Sequence, residues 1–404
     1  MSTETTPLTG AVEGEATRGS ALGSSVRQYG IFGALVVLLL LFQVLTHGKL
    51  LLANNVASLF QQNAYVMILA IGMLMVIVAG HIDLSVGSMV AFIGGVVAIS
   101  MRDMHLPWLL AVLVGILVGA LAGAWQGFWI AYVGIPAFIV TLAGMLLFRG
   151  LAIVLVGETI AGLPNGYVRI SNGSLPNVLG FAGNLDALTL LLGLVGIAAV
   201  VFTQLRSRLA KRKHGLHVES LLAFVSKNAL VAVAIGALTF VLSLSSGGTP
   251  IVLVIVGVLV IAYSFVMGNT VFGRRIYAIG GNRPAAILSG VNTKAIDFSI
   301  FVNIGALTGV AAIVTSSRAG AAVAAAGSNY ELDAIAACFI GGAAVTGGIG
   351  RISGAIVGAL IMGVLNMGLS IMAVNPAWQM AIKGLVLLAA VAFDLVNKRR
   401  AGTL

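Results

Sequence analysis

The feature that most constrains this chain is a succession of apolar stretches, each close to the length needed to cross a membrane. A hydrocarbon core of roughly 30 Å takes about 20 helical residues to span. Stretches near that length recur at residues 31–46, 62–78, 84–101, 107–132, 135–156, 185–205, 228–244, 251–267, 296–315, 333–345, 352–374 and 377–396. Only 8% of the 404 residues are Asp, Glu, Lys or Arg and 59% are apolar, against about a quarter charged in soluble domains. A water-soluble globule is excluded. Backbone facing lipid must satisfy its own hydrogen bonds, so the stretches are expected to be helices. The short alternating strands of a membrane β-barrel do not occur. The expected fold class is therefore an all-α polytopic integral membrane protein. It has twelve spans if 84–101 and 333–345 cross fully, and ten if those two are half-spans.

Residues 1–28 are rich in Ser, Thr, Gly and Glu without an apolar core, which predicts a disordered tail. The first apolar stretch starts near residue 31, too late for a cleavable signal, so an uncleaved span is expected. One membrane domain then runs over 29–397, followed by a basic end at 398–404. Six of the eight prolines (Pro107, Pro136, Pro164, Pro176, Pro250, Pro376) fall at the ends of stretches or between them, where a first helical turn accepts proline.

The 22 basic against 12 acidic residues give a net charge of +10. In a soluble protein that excess would point to nucleic acid; in this chain it sets orientation, because basic loops stay in the cytoplasm. Arg206, Arg208, Lys211, Arg212 and Lys213 crowd one loop, Arg274, Arg275, Arg283 and Lys294 another, and Lys398, Arg399 and Arg400 lie near the end of the chain. Counted through the stretches, all three groups fall on the side of the N-terminal tail. Both termini are thus expected in the cytoplasm, with Lys49, Arg102, Arg169 and Arg318 opposite. The lone Cys338 provides neither an intramolecular disulfide nor a thiolate cluster, and no metal site is expected.

No phosphate-binding loop of the form Gly-x-x-x-x-Gly-Lys-[Ser/Thr] occurs, so any ATP and its Mg would have to be held by another subunit. Ionisable residues within the stretches are few, Arg149 and Lys383 being the clear cases, with Asp83 and Glu331 at breaks. This is not the carboxylate series of a proton-coupled pump. Lys383 is expected to pair with a carboxylate or to snorkel.

Three elements stand out. Gly80-His81-Ile82-Asp83-Leu84-Ser85-Val86-Gly87-Ser88 sits at the break between two apolar stretches. Its polar groups can cap a broken helix, or they can line a water-filled path, where irregular backbone is tolerated at membrane depth. Phe272 to Gly290 contains a Gly-Gly-Asn turn, then proline entering a short Ala-rich helix closed by Ser-Gly. That helix is either a solvated loop or a knob that docks into a partner's groove. Glu331-Leu332-Asp333-Ala334-Ile335-Ala336-Ala337 leads into dense glycine at 341–363, which suits close helix packing.

Together these elements resemble the permease subunits of bacterial ABC importers for monosaccharides, within the branched-chain amino acid and sugar permease family. Ile135-Pro136-Ala137-Phe138-Ile139-Val140-Thr141-Leu142-Ala143-Gly144-Met145, and Trp378-Gln379 through Lys383-Gly384 to Asp394, extend the likeness over about 54–394. His81 and the added length between about 185 and 267 resemble the D-xylose and multiple-monosaccharide branch. The resemblance implies a non-enzymatic subunit of the bacterial inner membrane that moves a monosaccharide, D-xylose first, by alternating access, with L-arabinose or galactose as rivals. It implies a second permease copy, as a homodimer or a pair, together with a cytoplasmic ATPase and a periplasmic sugar-binding protein. It also makes Gly273, Arg274, Arg275, Gly280, Gly281, Asn282, Ala285, Ala286, Ser289 and Gly290 the ATPase-coupling segment. Asn63, His81, Asp83, Ser85, Ser88, Gln126 and Asn366 are the candidate sugar path. An ion-coupled transporter and a membrane-embedded enzyme are the readings from other classes.

Overall fold

The computed structural model describes residues 18–216 and 218–400. Residues 1–17 of the expected tail, and 401–404 of the expected basic end, lie outside them. In chain order the helices begin with α1 (Arg18–Leu45), α2 (Ala53–Val78), α3 (Val86–Arg102), α4 (Trp108–Phe128) and α5 (Ala137–Val156). They continue with α6 (Asn165–Asn172), α7 (Ala187–Lys213), α8 (Leu221–Ser243), α9 (Ile251–Asn269) and α10 (Val271–Gly281). The last five are α11 (Arg283–Leu288), α12 (Thr293–Ala319), α13 (Tyr330–Ile340), α14 (Ile352–Ile371) and α15 (Pro376–Arg400). α1 starts inside the stretch expected to be a tail, and α8 starts seven residues ahead of the apolar stretch at 228–244.

Among the described residues, eight helices are long and apolar enough to cross a membrane: α2, α4 with the π turn Trp129–Val133 that closes it, α5, α7, α8, α9, α12 and α14. Gly30–Leu45, α3 and Pro376–Ala389 are shorter apolar helices. The chain is not purely helical. β1 (Thr159–Ala161) pairs antiparallel with β4 (Ala321–Val323), and β2 (Phe181–Ala182) pairs with β3 (Leu185–Asp186). These strands lie in connections after α5, α6 and α12, where extended backbone has no helix of its own to satisfy it.

α2 is the centre. Val66 to Val78 are buried without interruption, as expected of a helix apolar all round, and α12, α13, α14 and α9 pack around it. The tightest packing is between α4 and α12. Gly115, Gly119, Gly123 and Gly127 recur every fourth residue on α4, and this stripe faces Gly305 and Gly309 on α12. A Cβ on Gly119 would stand 2.3 Å from the Gly305 carbonyl oxygen, and one on Gly123 would stand 2.1 Å from that of Phe301. Only glycine lets the two backbones approach this far.

The contacts separate two ends of the bundle. At one, β1 meets β4, the Ser246 amide and hydroxyl donate to Asn54 Oδ1 near the start of α2, and Thr189 at the start of α7 bonds Thr249 just before α9. At the other, the end of α2 meets α10, the loop before α14 and, through His81, the start of α12. α7 leaves the first end and runs 27 residues, about 40 Å of helix, which carries its basic last turns to the second.

Candidate functional site

α2 stops because Gly80 can adopt a left-handed φ of +87°. The Gly80 amide donates to the Ile77 carbonyl and the His81 amide to that of Val76, the pair of bonds that closes a helix at a left-handed residue. Residues 79–85 then cross an irregular gap before α3. Asp83 is buried within it, and its Oδ1 accepts from the Ser85 amide at 2.8 Å and the Ser85 hydroxyl at 2.6 Å. The expected capping of first-turn helical amides is not formed. Asp83 instead closes a local turn just ahead of the helix.

The gap is held by its neighbours. Gln126 of α4 donates through Nε2 to Ser85 Oγ at 2.6 Å, and the Thr141 hydroxyl of α5 donates to the Ile82 carbonyl at 3.3 Å. Gly144 makes room, since a Cβ there would stand 2.7 Å from Gln126 Nε2. Gln126 is fully buried, and its Oε1 has no partner. Ser88 is buried in the first turn of α3. Four of the seven candidate path residues, Asp83, Ser85, Ser88 and Gln126, therefore gather at one break.

The other three stand apart. Asn63 and Asn366 bond each other, Nδ2 of Asn366 donating to Oδ1 of Asn63 at 3.1 Å. They lie about 23 Å along α2 from its broken end, at 1.5 Å per residue. His81 faces away from Asp83's partners, and its Nε2 is 3.3 Å from Asp297 Oδ1 near the start of α12. The seven residues thus form three groups.

A second polar stratum surrounds α13. Arg149 of α5 donates to the carbonyls of Ala324 and Ala326 at 2.7 and 2.8 Å, satisfying the irregular chain ahead of α13. Asp333 accepts from the Tyr65 hydroxyl at 2.9 Å and from Lys383 Nζ at 3.2 Å. Lys383 pairs, as one of the two expectations had it. Tyr65 and Tyr330 stack with ring centroids 3.6 Å apart. Gly87 at the start of α3 abuts this stratum, for a Cβ there would meet the Gly327 carbonyl oxygen and Glu331 Oε2, each at 2.2 Å.

At the second end, Thr270 caps α10 and Asn282 caps α11, each side chain accepting from the amide three residues on. Gly280 is wedged where no side chain fits, a Cβ there falling 1.7 Å from the Val78 carbonyl oxygen, while the Gly348 amide donates to that same carbonyl at 2.8 Å. Gly273 is buried against the end of α9. Arg274, Arg275, Gly281, Asn282, Ala285, Ser289 and Gly290 are exposed. Ala286 is not. It is 4% exposed and turned into the body of the protein, so it does not contribute to the outward face of α11. The outward tip is instead Ile287 and Leu288, the latter 90% exposed. A short Ala-rich helix after a Gly-Gly-Asn turn was legible, but which way a six-residue helix faces was not.

Among the described residues, no three His, Cys, Asp or Glu side chains are grouped as metal ligands. Many of the buried polar groups satisfy irregular backbone or one another, as broken helices in a membrane require, while Gln126 Oε1, Asn366 Oδ1, His81 Nε2 and Asp297 Oδ1 have no hydrogen-bond partner.

Residues 55–391 match the family described as branched-chain amino acid transport system / permease component. The chain belongs to this family. It is 39% identical over 377 residues to the xylose transport system permease protein of Escherichia coli K12, with 93% of each chain covered. The protein of that name from Haemophilus influenzae is 37% identical, over 93% of this chain and 98% of the relative. The ribose import permease protein of Escherichia coli K12 is 34% identical over 367 residues, 91% of this chain and 92% of the other. No solved structure matches the chain. As a member of a permease family with eight long apolar helices, this is a multi-pass membrane protein.

Proposed function

We propose that this chain is the membrane subunit of an ATP-driven bacterial importer that carries D-xylose across the inner membrane by alternating access. The observation that carries the reading is the 39% identity to a xylose permease over 93% of both chains, against 34% to a ribose permease. In this reading the helices cross twelve times. α1, α3 and α15 cross in addition to the eight long helices, and α13 with its irregular flanks makes the twelfth crossing. Both termini then lie in the cytoplasm. The basic turns of α7, α10 and α11 mark the same side, as the positive-inside rule requires.

ATP and Mg belong to a cytoplasmic ATPase that takes the Ile287–Leu288 tip into an apolar cleft, with Arg274 and Arg275 alongside. A second permease copy completes the pathway, and a periplasmic binding protein delivers sugar to the opposite mouth. A hydroxyl-rich sugar keeps its hydration most cheaply in a transient aqueous cavity with weak contacts. The broken segment at 79–85, with Asp83, Ser85, Ser88 and Gln126, is the candidate lining of such a cavity, because irregular backbone is tolerated at membrane depth where it faces water.

The test is uptake of radiolabelled xylose by cells carrying the permease with its partner subunits, in competition with arabinose, galactose and ribose. Xylose uptake displaced only weakly by the others supports the assignment. Arabinose or galactose uptake that xylose does not displace overturns it.

A further inference from the structure

At the second end, one buried carboxylate joins the docking segment to the break in α2. Asp297, in the second turn of α12, is 1% exposed. Its Oδ2 accepts from Arg283, the first residue of α11. Its Oδ1 stands 3.3 Å from Nε2 of His81, the first residue past the left-handed turn that ends α2. The His81 ring also lies against Phe301, centroids 5.9 Å apart, one turn further along α12. A carboxylate this deep needs partners: Arg283 of α11 supplies the charged hydrogen bond, and the His81 ring beyond the end of α2 stands at the remaining oxygen without completing one.

We infer that Arg283, Asp297 and His81 form a strut transmitting displacement of the docking segment to the broken segment at 79–85. The inference rests on the ATPase-docking reading above. The exposed Ile287–Leu288 tip and Arg283 share one short helix, so a force on the tip shifts the guanidinium. Asp297 cannot lose that partner cheaply, because water does not reach it, so α12 and His81 follow. His81 is two residues from Asp83, and Asp83 is bonded through Ser85 to Gln126 of α4. The strut therefore ends in the polar cluster at the break. A second connection exists beside it, the backbone contact of Gly280 and Gly348 with Val78. This contact has no side chains, whereas the strut runs through side chains and includes the Arg283–Asp297 ion pair.

The experiment uses the complete importer in proteoliposomes, with Asp297→Asn and His81→Gln compared with the parent. Three quantities are read: recovery of ATPase with the permease, basal ATP hydrolysis, and sugar moved per ATP hydrolysed. The strut predicts unchanged recovery and hydrolysis, with sugar moved per ATP falling at least about tenfold for Asp297→Asn, the scale of one lost charged hydrogen bond. His81→Gln keeps the fold and shows a smaller fall in the same ratio. The paired exchange of Arg283→Asp with Asp297→Arg recovers part of it. Parent-like sugar per ATP in both single variants overturns the strut. So does a loss confined to ATPase recovery, which would make Asp297 a structural support for α11. A parent complex that moves no sugar with ATP contradicts the proposed function instead, and is distinguishable because it needs no variant.

Discussion

Lys383 shows how a single cation is placed by its partner. It projects from α15 to Asp333 of α13, which also holds the Tyr65 hydroxyl of α2, so three helices meet at one carboxylate. Removing one side of a buried pair strands the other. Lys383→Met is expected to destabilise the purified protein by about 3 kcal/mol, read as a lower unfolding midpoint in detergent, and Lys383→Met with Asp333→Asn should recover much of the loss. A double variant no better than the single would mean that the pair contributes little. The sequence showed Lys383 as an isolated charge in an apolar run, which narrows its fate to pairing or snorkelling. The identity of the partner depends on which helices adjoin, and Asp333 is fifty residues away. His81 shows the converse. Adjacency to Asp83 suggested a shared role, but the turn at Gly80 aims the ring at α12, and no local rule reveals that.

Single elements were legible where capping and turn chemistry act locally. The end of α2 at the Gly80-His81 motif, the Asn282 cap and the Pro284 entry of α11 all follow from residue type at fixed offsets. What escaped was facing. A six-residue helix has less than two turns to set an amphipathic pattern, so Ala286 was read as outward when it is buried and Leu288 was passed over when it is the tip. This gives a paired prediction. Leu288→Asp should abolish recovery of the partner ATPase while leaving membrane insertion and thermal stability unchanged. Ala286→Arg should lower thermal stability itself, because the side chain has no room. Equal stability losses in both variants would remove α11 as the docking element. The Gly115-Gly119-Gly123-Gly127 stripe was also overlooked, although its four-residue period is a sequence signal for close helix approach.

Across the whole molecule, apolar length identified the class and each of the eight long apolar helices among the described residues, since bilayer thickness acts on each segment independently. It did not anticipate the β1–β4 pairing, which joins segments more than 150 residues apart and has no composition of its own. Orientation can be tested directly, because Cys338 is the one cysteine and is buried. In a Cys338→Ala background, Ser289→Cys should react with an impermeant thiol reagent only in inverted vesicles, and Ser246→Cys only in intact spheroplasts. Labelling of both from one side would contradict the two-ended arrangement. The central claim is that ATP hydrolysed by a partner subunit drives sugar through this chain. The most direct measurement is xylose accumulation in proteoliposomes holding the permease, its ATPase and its binding protein, with ATP supplied and with sodium and proton gradients collapsed. The account predicts accumulation that requires ATP and is lost when the ATPase is omitted. Accumulation driven by an ion gradient without ATP would contradict it.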